Sequence, residues 1–157
     1  MARVYIAVGS NEGDRLANIS RAVQRLGALH ETRLVQMASI FDTQPVGGPP
    51  QGDYLNTVVE VDTALPPETL LGAVKGIEQG LGRRLDGPRW SARPVDLDIL
   101  FYADQLVQQP QLTIPHLMLH RRRFVLEPLA QLAPALIHPI LRRSIQELLA
   151  DLPPRQA

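Results

Sequence analysis

An α+β sandwich, in which an antiparallel sheet carries helices, is the fold class this chain predicts. Three observations support it. Four well-separated runs read as strands, two of the intervening segments carry apolar residues at helical spacing, and the elements follow the order βαββαβ. The chain has 157 residues, which fits a single domain over 1–157 with a hydrophobic core of its own.

Residues 3–10, RVYIAVGS, form the first expected strand, ended by the turn formers Gly9-Ser10-Asn11-Glu12-Gly13. Asp14 is placed to cap the next helix, whose apolar stripe is Leu16, Ile19, Val23 and Leu26. Residues 33–41 read as a second strand. The following segment, TQPVGGPPQGD at 43–53, holds three prolines and three glycines and cannot be a helix or a central strand. Residues 54–62, YLNTVVEVD, are the third strand.

Pro66-Pro67-Glu68 opens the second helix, because proline is tolerated at the first helical position. Its stripe is Leu70, Leu71, Val74, Ile77 and Leu81, and Gly80 and Gly82 bring it to an end. Residues 85–94 make a second long loop, rich in arginine, ahead of a fourth strand over 95–102. Beyond Asp104 the pattern gives a short ribbon over 105–108, a Pro115-His116 turn, and extra C-terminal helices over 122–132 and 144–152. The helices are expected on one face of the sheet. Two Gly/Pro-rich loops of this length in a compact domain point to function.

The composition, 45% apolar and 20% charged, is that of an ordinary globular protein. A net charge of zero gives no global reason to expect nucleic acid or an anionic membrane as partner. The absence of cysteine excludes disulfides, zinc–thiolate sites and cysteine nucleophiles. The apolar run at 4–8 is too short for a signal-peptide core. The segment 125–141 is broken by Glu127, Pro128, Pro134 and Pro139 and cannot span a bilayer as a clean helix. A cytoplasmic monomer without membrane association is the expectation.

The segment RPVDLDILFY, 93–102, raises the chemical question. Strand side chains alternate between faces, so Asp96 and Asp98 share one face while Val95, Leu97, Ile99 and Phe101 share the other. An unpaired carboxylate is costly to bury, and the apolar residues on both sides suggest an oily setting. Carboxylates two apart on a strand stand roughly 6.6 Å apart at Cα, close enough to serve one hard cation or a pair of ions. Without cysteine, and with four histidines, Mg²⁺ with oxygen ligands fits best. The competing explanation is a pair of salt bridges to arginines on an exposed sheet face.

Arg83, Arg84, Arg89 and Arg93 fall within eleven residues, directly ahead of those aspartates. Guanidinium groups grip phosphate oxygens bidentately and stabilise charge in phosphoryl transfer; a solvated loop is the plainer alternative. Arg121, Arg122 and Arg123 sit at a helix start, which is unfavourable for the helix dipole unless an anion is near. Aromatic residues are scarce. Tyr54 and Phe124 are either core or two flat surfaces for a planar heterocycle, with Asn56, on the same strand face as Tyr54, offering donor and acceptor. Lys75 is the only lysine and no P-loop pattern occurs, so a P-loop enzyme is excluded.

Taken in order, YIAVGSN, FDTQPVG, DYLN, IEQGLGR, RWSARPVDLDIL, LTIPH and RRFVLEPL resemble the hydroxymethyl-dihydropterin pyrophosphokinase family over nearly the whole chain. The resemblance implies a ferredoxin-like βαββαβ sandwich with long catalytic loops. It also implies transfer of diphosphate from ATP to a pterin alcohol in folate biosynthesis, with AMP released. Two Mg²⁺ ions on Asp96 and Asp98 are implied, and small-molecule partners only. Arg83, Arg93 and His116 match phosphate-handling positions, and Ile99, Thr113 and Arg122 match further positions of the ATP site. Tyr54 and Phe124 match the aromatic pair enclosing the pterin, and Asn56, Thr43 and the backbone around Val46 match groups along its edge. Pro45 and Trp90 match the loops that close over the substrates. Leu85, Ser91, Gln111 and Leu117 depart from the family pattern beside the implied ATP contacts. Two alternatives stay open at this stage: a two-metal nucleotidyltransferase or nuclease, against which the zero net charge counts, and a non-catalytic ferredoxin-like binding module.

Overall fold

The computed structural model describes residues 1–43, 54–82 and 94–154. Within them the order is β1 (Ala2–Ser10), α1 (Arg15–Gly27), β2 (Thr32–Met37), β3 (Phe41–Thr43), β4 (Tyr54–Thr63), α2 (Pro67–Gly80), β5 (Asp96–Tyr102), β6 (Val107–Gln109) and β7 (Leu112–Ile114). A 3₁₀ turn (Leu119–Arg121), α3 (Arg123–Leu132) and α4 (Ile145–Asp151) complete it. The main sheet runs β2-β4-β1-β5 with every neighbouring pair antiparallel. Each strand–helix–strand unit leaves a gap one strand wide, and the other unit fills it. β4 lies between β1 and β2, and β1 lies between β4 and β5. This is the expected βαββαβ arrangement.

The expected single strand over 33–41 is instead two. β2 and β3 both pair with β4, but the pairing slips by a residue between Leu34 and Gln36, and again between Met37↔Val59 and Phe41↔Asn56. At the second slip Ala38 bonds sideways: its N–H donates to Val58 O at 2.9 Å and its carbonyl accepts from Thr57 Oγ1 at 3.0 Å. The ribbon expected over 105–108 is a β6–β7 hairpin lying a little further along the chain.

β5 also carries an extra residue. Ile6 pairs with Ile99, yet Tyr5 pairs with Phe101, so Leu100 is left over as a bulge. The bulge reverses the expected facing of Phe101. Val95, Leu97 and Ile99 join the core formed with α1 and α2, whereas Phe101 joins Tyr5 and Val58 in a second core.

That second core corrects the expectation of helices on one face. α1 and α2 bury Ile19, Ala22, Val23, Leu26, Leu70, Val74 and Ile77 on one side of the sheet. α3, α4 and the 3₁₀ turn bury Leu119, Val125, Leu126, Leu129, Ile145 and Leu148 on the other. The sequence carries the reason, since Val58-Val59 and Phe101-Tyr102 present apolar groups to both faces. Asp14 caps α1 as expected, its Oδ1 accepting from Ala17 N at 3.1 Å, but Leu16 is 55% exposed and lies off the buried stripe. α4 begins with a capping box, Ser144 Oγ accepting from Glu147 N at 3.1 Å and Glu147 Oε1 from Ser144 N at 3.0 Å. No helix among the described residues is long and apolar enough to cross a membrane.

If α4 belongs to a true second core, Ile145→Ala, at a fully buried position, lowers the unfolding free energy by about 2–5 kcal/mol. Urea titration checks this; a loss under about 0.5 kcal/mol, as for a surface substitution, would mean that α4 only rests on the sheet.

Candidate active site

The antiparallel registers line up one row across four strands: Phe41 on β3, Asn56 on β4, Gly9 on β1 and Asp96 on β5. The next row on the same face holds Val58, Ala7 and Asp98. Because side chains alternate, Tyr54, Asn56, Asp96 and Asp98 all point toward the α3 side of the sheet. Gly9 keeps the middle of the row low. A Cβ there would stand 3.0 Å from Asn56 Oδ1, so the absence of a side chain is what lets the Asn56 amide lie over β1 toward Asp96.

The aspartates are less buried than the sequence suggested. Asp98 is exposed and Asp96 half-buried, because the apolar residues that made this strand look oily face the opposite side. A carboxylate that is truly buried in this sheet looks different. Glu60, 3% exposed, receives Arg3 Nε at 3.0 Å and Gln36 Nε2 at 2.8 Å. Burial, and then Glu60, push the neighbouring Tyr5 hydroxyl up to about 12.

The bulge brings a third group to the pair. The Leu100 carbonyl accepts the His116 N–H at 3.0 Å, which sets His116 beside Asp98 just after the cis Ile114–Pro115 bond. Burial holds the imidazole below its ordinary value of 6.5; the Asp98 carboxylate opposes that shift and the Arg122 guanidinium adds to it. Nδ1 of His116 is buried and has no hydrogen-bond partner among the described residues. Arg122, the N-cap of α3, lies with Cζ 5.8 Å from the centroid of the Phe124 ring. Phe124 is 41% exposed, and α3 packs across β4 and β3, which brings the ring to the face that carries Tyr54 and Asn56.

Other expected residues fall differently. Ile99 is buried in the α1/α2 core, so only its main chain can meet a ligand. Thr113 is half-buried on β7, opposite Gln108. The backbone of Thr43 pairs with Tyr54. Arg83, Arg93, Pro45, Val46 and Trp90 lie outside the described residues. Sequence reasoning passed over Gly9, whose role needs the cross-strand register, and Glu78, which is buried at the end of α2 and accepts the Leu97 N–H at 2.8 Å. The signal for Glu78 was available: it stands four residues after Val74 on the apolar stripe.

The donor set suits a hard cation. Among the described residues no group of three or more His, Asp or Glu side chains is placed to hold a metal ion together; the Asp96–Asp98 pair, open to the α3 side, offers two carboxylates. Mg²⁺ commonly takes one or two carboxylates and completes its shell with water and substrate phosphate. The pair fits that habit.

The model of the family described as 7,8-dihydro-6-hydroxymethylpterin-pyrophosphokinase (HPPK) matches residues 5–134. The chain is similar to the 2-amino-4-hydroxy-6-hydroxymethyldihydropteridine pyrophosphokinase of Pseudomonas aeruginosa, 42% identical over 151 residues that cover 96% of this chain and 92% of that protein. The protein of the same name from Aquifex aeolicus is 35% identical over 147 residues, covering 94% and 90%. Among solved structures, wild-type Plasmodium falciparum HPPK-DHPS superposes with a TM-score of 0.73 at 15% identity. It covers 95% of this chain, which spans 44% of that longer one; the likeness is one of fold.

In the metal-free protein, an NMR titration of His116 reads the electrostatics of the site directly. Asp98→Asn removes a neighbour that favours the imidazolium and lowers the His116 pKa further; Arg122→Ala removes one that opposes it and raises the pKa. Shifts in the same direction from both substitutions would contradict this arrangement.

Proposed function

The chain belongs to the 7,8-dihydro-6-hydroxymethylpterin-pyrophosphokinase family, and from that premise we propose how its residues divide the work. The activity is pyrophosphoryl transfer in folate biosynthesis with ATP as co-substrate. The nucleotidyltransferase and non-catalytic readings are not favoured. The hydroxymethyl oxygen of the pterin attacks the β-phosphorus of ATP. An O–P bond forms, the α,β-bridging bond breaks, AMP leaves and the hydroxyl proton is released.

The observation that carries the residue assignment is the shared row. Asn56 and Asp96 stand in it with nothing larger than Gly9 between them, and on the same face Asp98 and Tyr54 occupy the neighbouring rows on either side. We assign the pterin to the Tyr54–Asn56–Phe124 end, where Asn56 offers a donor and an acceptor to the heterocycle edge and the rings of Tyr54 and Phe124 offer stacking faces. The backbone at Thr43, beside Tyr54, extends that edge, and Pro45, Val46 and Trp90 are assigned to it by resemblance alone. The nucleotide is assigned to the Asp96–Asp98 end, with His116, Arg122, Thr113 and the main chain of Ile99 as its contacts.

Two Mg²⁺ ions held by Asp96 and Asp98 supply, when bound, charge neutralisation along the triphosphate and a lowered pKa at the attacking hydroxyl. His116, whose pKa is lowered by burial, can donate a hydrogen bond from one ring nitrogen to a phosphate oxygen. Arg122 adds a fixed positive charge where negative charge develops. Arg83 and Arg93 are assigned to the phosphates by residue type and resemblance.

Product analysis tests the reaction. With Mg-ATP and reduced hydroxymethylpterin the nucleotide product is AMP; ADP would make this an ordinary kinase. Asp96→Ala and Asp98→Ala lower turnover by roughly 100-fold or more at saturating Mg²⁺, with circular dichroism unchanged. Gly9→Ala crowds Asn56 and raises the KM for the pterin about tenfold, the equivalent of one lost hydrogen bond, while the KM for ATP stays within about twofold. Equal effects on both KM values would detach Asn56 from the pterin.

A further inference from the structure

Glu78 occupies a position that disfavours a carboxylate three times over. It is 4% exposed, and burial disfavours charge. It lies in the last turn of α2, where the unpaired helix carbonyls make the local potential negative. It also shares the buried face of that helix with Leu70, Val74 and Ile77, where an aliphatic side chain would simply extend the core.

A group that offsets these penalties is a main-chain N–H of β5. Among the described residues strand β5 ends the sheet order, with β1 on one side only. Asp96 and Asp98 pair with Gly9 and Ala7 across that one ladder. Successive residues of a strand turn their main-chain groups to opposite edges, so Leu97, between the two aspartates, offers its N–H to the outer edge, where a missing strand would have supplied a carbonyl. Glu78 Oε2 is there instead, 2.8 Å from Leu97 N. The short stretch between the carboxylates is therefore gripped from both edges, by β1 on one side and by α2 on the other.

We propose that Glu78 is a positioning residue: its carboxylate oxygen replaces the absent neighbouring strand at Leu97 N–H, and so fixes the spacing and common facing of Asp96 and Asp98 toward a divalent cation. It is not itself a ligand. Leu97 directs its side chain into the α1/α2 core, the side from which Glu78 approaches, while the aspartates face the α3 side. The inference rests on the assignment of Asp96 and Asp98 to the cation, and it asks for an acceptor at position 78 rather than for a charge.

Two substitutions separate acceptor from charge. Glu78→Gln keeps a carbonyl oxygen for Leu97, whereas Glu78→Met keeps the volume and removes the acceptor. The readouts, on the full chain, are amide exchange at Leu97 and Mn²⁺ binding, followed by electron paramagnetic resonance with a non-hydrolysable ATP analogue present. Glu78→Met is expected to lose protection at Leu97 and to weaken Mn²⁺ by about tenfold to a hundredfold, the usual effect of removing a group that orients a metal ligand. Glu78→Gln is expected to keep the protection and to bind Mn²⁺ within about twofold of the wild type, by the same reasoning. Leu148→Ala, in the opposite core, serves as the destabilised control and should leave Mn²⁺ binding unchanged. If Glu78→Met does not fold, Glu78→Ala gives the same readouts.

Wild-type Mn²⁺ affinity in the variants lacking the acceptor overturns the proposal, as does equal weakening in Glu78→Gln, which would make charge the operative property. Weakened binding in Leu148→Ala would also overturn it, by making the effect one of general destabilisation. Asp98→Asn distinguishes the two levels. If that variant binds Mn²⁺ normally, the cation assignment itself fails; if it binds weakly while Glu78→Met does not, only the role of Glu78 fails.

Discussion

The ladder that β1 forms with β4 on one side and β5 on the other decides which side chains can meet. Because facing alternates at every residue, pairing Gly9 with both Asn56 and Asp96 commits Tyr54, Asn56, Asp96 and Asp98 to one side of the sheet and Leu55, Val59, Leu97 and Ile99 to the other. A slip of one residue in either pairing would exchange the two sets. The burial of Val4, Ile6 and Val8 against α1 and α2 makes such a slip costly. Hydrophobic packing on one face thus holds the register that assembles the polar face.

The polar face is itself only partly open. α3, α4 and the 3₁₀ turn cover it from Tyr5, Val58 and Phe101 outward, and the cover thins toward Asp98, which is exposed. Phe124 and Arg122 stand at this border, at the N-terminal end of α3, where the helix stops shielding the sheet. Two layers of helix therefore do different jobs. One closes a core completely, and the other closes a core and leaves an open rim beside Asp98.

Much of this was legible in the sequence. The period-two pattern placed β1, β4 and β5 and put the two aspartates on a common face, and the helical stripes placed α1 and α2. What was not legible depended on partners distant in the chain. The break between β2 and β3 follows from how each meets β4, and nothing local in residues 33–41 announces it. Phe101 was assigned to the wrong face because alternation was counted through Leu100, the extra residue. The aspartates were read as sitting among apolar side chains because proximity in sequence was mistaken for proximity in space. His116 owes its expected role to resemblance to a family, whereas Phe124 stands out already by the scarcity of aromatic residues, and the fold shows what brings each to the candidate site: a carbonyl of β5 for one and the start of α3 for the other. Glu78 carried a local signal, an acid on an apolar stripe, whose meaning required knowing that β5 ends the sheet among the described residues.

The extra residue at Leu100 makes chain length, more than side-chain identity, the sensitive variable in this part of β5. Its side chain is one more apolar group in a core that has others, and a similar apolar residue would serve. Its carbonyl, set free from the regular pairing, is the anchor for His116. Deleting the position would leave a better-formed ribbon, with Ile6 opposite Ile99 and Tyr5 opposite the phenylalanine as before, and the imidazole would lose its moorings. In this strand geometric perfection and usefulness are opposed, and the protein keeps the imperfection.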